Sequence, residues 1–142
     1  MDALEVIKTA EKHGGMPRRE ALEHLAISAR KLGYDIRIGG GQAGGFNIRY
    51  GSIGFAVVDV DTQGIIKLYV QPHPNKEAPE VLREKLNAFV GASETLEPKS
   101  FPINNYGHLE DKIEEVSFDA IEAYMETARD LIIQTYYEPY YE

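Results

Sequence analysis

A chain of 142 residues, 43% hydrophobic and 27% charged, has the length and balance of one globular domain built around one core. The absence of cysteine excludes disulfides, Cys-ligated zinc, iron–sulfur centres and thiol nucleophiles. No apolar run approaches the roughly 18 residues that a membrane span needs, and Met1–Glu5 lacks the pattern of a signal peptide, so a cytoplasmic protein with no membrane contact is expected.

Asp2 suits the N-cap of a first helix with Leu4, Ile7 and Ala10 at helical spacing, and Gly14-Gly15 supply its stop. Pro17 suits the first turn of a second helix, in which Leu22, Leu25, Ala26, Ala29 and Leu32 form one stripe closed by Gly33. From Tyr34 the period changes to two. The spans 34–38, 46–50, 53–61 and 65–71 read as four strands. Gly51-Ser52 and Thr62-Gln63-Gly64 are too short for a parallel crossover, so the sheet is an antiparallel meander. Alternation of Phe46, Ile48 and Tyr50 with Asn47 and Arg49 leaves one sheet face wet, whereas Phe55-Ala56-Val57-Val58 reads as a central strand.

Pro72 and Pro74 break the sheet, and Pro79 opens a helix with Leu82, Leu86, Phe89 and Val90 inward and Gly91 as its cap. Residues 92–112 read as loop with one short strand at most, and Lys112–Val116 as a further edge strand. Ser117 is suited to cap a long final helix with Phe118, Ile121, Met125, Ala128, Ile132 and Tyr136 on one face, and Pro139 ends it. The expected fold class is therefore α+β. An antiparallel meander of four strands, with room for a fifth or sixth, carries two N-terminal helices, a middle helix and a long C-terminal helix, all within a single domain spanning 1–142.

The order of these elements, a meander over Phe46–Tyr50, Ile53–Asp61 and Ile65–Val70 followed by a helix, an irregular stretch and a terminal helix ending in tyrosine, resembles two groups. They are the small α+β domains of unknown function found beside restriction-type nucleases, and the YjbR-like domains. The resemblance covers about residues 34–136 and implies no catalytic residue.

Gly39, Gly41 and Gly44 satisfy G-x-G-x-x-G after a strand. A dinucleotide fingerprint must open a helix, however, and here a strand follows, so a hairpin loop is expected. Asp59 and Asp61 share a strand face and are the candidates for holding Mg²⁺, set against a reading in which Asp61 starts a turn and Asp59 sits on the wet face. His13, His24, His73 and His108 show no metal-ligand spacing. In the alternative of a small-ligand or enzyme domain, the loops holding His73 and Asn104-Asn105-Tyr106-Gly107-His108 converge with Gly39–Gly45. Gly41, Gly44, His73, Asn105 and His108 would then line a small-ligand or enzyme site.

The formal net charge of −8 is uneven: residues 1–50 hold two more basic than acidic side chains, and 51–142 ten more acidic than basic. Nucleic acid would therefore have to be met by Lys8, Lys12, Arg18, Arg19, Arg30 and Lys31 on the N-terminal helices, where Glu20 and Glu23 oppose it. The least ordinary segment is the C-terminus, where Tyr136, Tyr137, Tyr140 and Tyr141 offer rigid amphipathic contact area of the kind enriched at interfaces. The leading expectation is a non-catalytic interaction or assembly domain, a homodimer or the small subunit of a complex, with no cofactor and no metal. The ligand-binding domain and the nucleic-acid accessory protein are the alternatives.

Overall fold

The computed structural model describes residues 2–39, 44–71, 80–92, 106–109 and 111–137. Its first element, α1 (Ala3–Lys31), opens on a capping box. Asp2 accepts the Glu5 N–H at 2.9 Å, and the Glu5 carboxylate accepts the Asp2 N–H at 3.3 Å. The two N-terminal helices expected from the sequence form this one element, broken at Gly15, where φ is 78° and ψ −173°. That conformation is costly for any residue with a Cβ, so the glycine kinks the chain where a helix stop was expected. The chain nevertheless resumes helix at once, because Pro17 lies in the first turn beyond the kink and needs no N–H partner there. Among the described residues, three α-helices therefore stand where four were expected. The stripe before the kink also differs in phase: Val6 and Ala10 are buried, Ile7 is half-buried, and Leu4 is exposed.

The sheet is a five-stranded antiparallel meander in sequence order. Its strands are β1 (Asp35–Ile38), β2 (Gly45–Tyr50), β3 (Phe55–Asp61), β4 (Ile66–Gln71) and β5 (Tyr106–His108). One face is apolar by register. Ile36 stands opposite Ile48, Ile48 opposite Val58 and Val58 opposite Leu68; beside them Phe46 stands opposite Val60 and Val60 opposite Ile66. At the start of β3, Val58 pairs with Ile48 but Ala56 pairs with Arg49, so Val57 is an extra, fully buried residue in a bulge. Tyr34, expected to begin β1, instead precedes it, and its hydroxyl donates to the Met125 carbonyl. Burial raises that hydroxyl well above the ordinary tyrosine value, which keeps it a neutral donor.

Helix α2 (Glu80–Ala92) runs through Gly91, so that glycine does not cap it; Leu82 and Leu86 are buried, and Phe89 lies against Tyr124 of α3 (Phe118–Ile132). The expected edge strand at Lys112–Val116 is a 3-10 turn over Ile113–Glu115. Buried Ile113 donates its N–H to the Gly64 carbonyl, which ties this turn to the β3–β4 connection and leaves no strand-like ladder. Ser117 stands at the N-cap of α3, but its side chain makes no capping bond. The α3 core stripe is Ile121, Tyr124, Met125, Ala128 and Ile132, and the helix ends in a π-helical turn, Ile133–Tyr137. The buried residues of α1, α2, α3 and the sheet form one hydrophobic cluster.

Candidate functional site

Two places on the described surface gather side chains from distant segments. The first is a cleft of about 480 Å³ lined by Gly33, Asp35, Tyr50, Gly51, Ser52, Ile133 and Tyr137. Three elements build it: the glycine turn after α1, the β2–β3 hairpin, and the π-helical end of α3. Tyr34, Tyr50 and Tyr137 form an aromatic run, with ring centroids 5.4 Å apart for the first pair and 6.4 Å for the second. The Tyr50 and Tyr137 rings stand at 84°, two walls of a corner. Gly51, at φ 79°, makes the corner possible, since a Cβ added there would stand 2.1 Å from the Tyr137 hydroxyl. That hydroxyl also accepts a long bond, 3.5 Å, from the Ile53 N–H. Tyr137 is thus held by the β2–β3 hairpin.

The second place is the sheet face opposite the apolar one. Arg37 stands opposite Asn47, Asn47 opposite Asp59 and Asp59 opposite Lys67, a polar row across β1 to β4. The Arg49 guanidinium donates to the Asn47 carbonyl oxygen, which fixes the amide so that its N–H donates to Asp59 at 3.1 Å. Burial, the largest influence, pushes the Asp59 carboxyl up, and the Asp61 charge adds to it, while Asn47, Lys67 and Arg49 pull the other way.

A carboxyl whose folded pKa lies above its unfolded one stabilises the fold below the ordinary aspartate value of 3.8 and loses that contribution as pH rises through the raised value. Asp59→Asn removes the loss and can still accept the Asn47 N–H. Its urea midpoint relative to the wild type is expected to rise from pH 3.5 to pH 7. A difference that is constant or falls across this range would show that the Asn47 and Lys67 partners outweigh burial.

The residues singled out from the sequence distribute as follows. Asp61 starts the β3–β4 turn, its Oδ1 accepting the Gln63 and Ile65 N–H groups at 2.9 and 3.0 Å. Among the described residues, no group of three or more His, Asp or Glu is placed to hold a metal ion. Gly44 leads into a strand, and the Gly39 N–H closes the hairpin on the Gly45 carbonyl at 2.8 Å. This glycine turn leaves the sheet beside the β3–β4 turn, as the Thr62 N–H to Gly44 carbonyl bond shows. β4 departs and β5 enters at the other end, where Gln71 pairs with Ala56 and Tyr106 with Tyr69. Gly44 and the Gln71 and Tyr106 ends of β4 and β5 therefore stand at opposite ends of the sheet. Gly41, His73, Asn105, Tyr140 and Tyr141 themselves lie outside the described residues, as do the side chains of His108 and Tyr136.

On α1, Arg18 is tied to Glu114 at 2.7 Å, and Arg19 to Glu11 and Glu23, both at 2.8 Å. Two of the six cations available for nucleic acid are engaged within the fold. His24, expected on a polar helix face, stacks on Phe118 with centroids 3.5 Å apart.

Sequence reasoning marked Tyr137 but not Tyr50, Ser52, Gly33 or Ile133 as its companions. Gly51-Ser52 was legible as a tight turn, but nothing local in the sequence says which helix end meets it. No protein-family model, no curated protein and no solved structure matches the chain.

Proposed function

We propose that the protein is a non-catalytic interaction domain, a homodimer or the small subunit of a complex, whose contact surface is centred where the end of α3 meets the β2–β3 hairpin. The observation that carries this reading is Tyr137. Its ring packs at right angles to Tyr50 and its hydroxyl reaches Ile53 N–H, so the tyrosine-rich C-terminus starts from a fixed point on the sheet. An anchored origin lowers the ordering entropy that contacts made by the following residues must overcome. The cleft beside it, with two partly exposed tyrosines, has the aromatic make-up common at contact centres.

Deleting residues 138–142 removes Tyr140 and Tyr141 and keeps every described residue that lines the cleft. Light scattering of the gently purified chain is expected to give a species heavier than one 15.9 kDa chain, and the shortened chain a lighter one. Identical masses for the two would remove the tail from the contact surface.

A further inference from the structure

We infer that the Tyr50–Tyr137 cleft receives a cationic side chain, the guanidinium or ammonium of an arginine or lysine on the protein partner. This deepens the interaction role proposed above and rests on it. Three features on the cleft wall favour positive charge. The Tyr50 and Tyr137 rings meet edge to face at 84° and 6.4 Å, and both line the cleft, so a cation held against the face of either ring is favoured there. Both long helices also end here. Gly33 directly follows the C-cap of α1 at Leu32, and Ile133 and Tyr137 belong to the last turn after α3, so the negative poles of two helix dipoles meet at the cleft. One guanidinium is already drawn to this end: Arg129 donates to the Leu32 carbonyl at 3.4 Å.

The third feature is charge. Asp35 is the one carboxylate among the described lining residues, and the chain as a whole carries −8, which concentrates cations near its surface. Opposing charges are close by: Arg49 stands opposite Asp35 in the sheet, and Arg30 and Lys31 lie in the last turn of α1. The Asp35 contribution is accordingly the smaller one, and the tyrosine rings and helix ends carry the preference. Shape agrees, because no described atom lies within 4 Å of where a Cβ at Gly33 would stand. The floor is thus open to a long aliphatic stem, and about 480 Å³ holds a guanidinium together with its stem.

The test is an amide NMR titration of the full chain with N-acetyl-arginine methylamide and N-acetyl-lysine methylamide. N-acetyl-citrulline methylamide and N-acetyl-norleucine methylamide are the uncharged counterparts. The expected result is a shift of the Gly33, Gly51, Ser52 and Ile133 amides, with the charged compounds binding at least about fivefold more tightly than the neutral ones. Tyr137→Leu is expected to abolish the preference, Tyr137→Phe to keep it, and Asp35→Asn to reduce it by less than Tyr137→Leu does. Equal binding of arginine and citrulline compounds, or shifts elsewhere with these amides unmoved, would overturn the inference. If the preference fails while the chain still assembles, the cation reading alone is lost. If arginine binds in the cleft of a chain that stays a single copy, the cation site stands and the assembly role falls.

Discussion

Replacing Arg18 by alanine is expected to lower the unfolding free energy by about 2–4 kcal/mol, the range for removing one member of a nearly buried ion pair. Its guanidinium meets Glu114 at 2.7 Å with side-chain exposures of 12% and 13%, and it also donates to the Thr62 carbonyl at 3.4 Å. One side chain thereby joins α1 just past its kink, the β3–β4 turn and the 3-10 turn. Without it the Glu114 carboxylate is left facing the Gly64 backbone with its charge unanswered. Glu114→Gln, which retains an acceptor for Arg18, is expected to cost less. Replacing both residues by apolar ones of similar size is expected to cost less than the two single losses added together. Urea unfolding measures all of these. A loss below about 0.5 kcal/mol for Arg18→Ala would place the pair among ordinary surface bridges.

Gly51→Ala is the second large effect, and it joins the fold to the site. The residue sits at φ 79°, where a Cβ costs about 1 kcal/mol. The same Cβ would stand 2.1 Å from the Tyr137 hydroxyl and 2.7 Å from the adjoining ring carbon. Either the hairpin shifts or Tyr137 leaves the corner, and the summed loss is expected to reach about 2–3 kcal/mol. In a Tyr137→Ala background the steric part disappears and only the backbone strain is left, so the two substitutions are expected to be strongly non-additive. Additive losses would mean that Tyr137 is not held against Gly51 in solution.

How much of this was legible in the sequence depends on the range of the interaction. The meander followed from two short connections, Gly51-Ser52 and Thr62-Gln63-Gly64, which exclude crossovers. The wet face followed from the alternation of Asn47 and Arg49 with Phe46, Ile48 and Tyr50. Local chemistry also marked the Asp2 cap and the Asp61 turn, both seen with their hydrogen bonds. What was misread depends on long-range contacts. Ile113–Glu115 has the composition of an edge strand, but the Gly64 carbonyl and Arg18 claim it from other elements. The burial of Tyr124, and of Val6 in place of Leu4, is set by how α2, α3 and the sheet meet, and helical spacing alone fits more than one phase. Of the tyrosines near the C-terminus, Tyr137 packs on Tyr50 and Gly51, more than eighty residues away in sequence, a contact that has no local signature.

The most direct test of the central claim, that the corner of Tyr50, Gly51 and Tyr137 is a contact surface, is native mass spectrometry of the wild type and Gly51→Ala side by side. Both would be purified untagged and held at a temperature where both remain folded. The wild type is expected to appear as a dimer or with a second polypeptide, and the variant as one 15.9 kDa chain. A single chain in both, or the same complex in both, would contradict the claim.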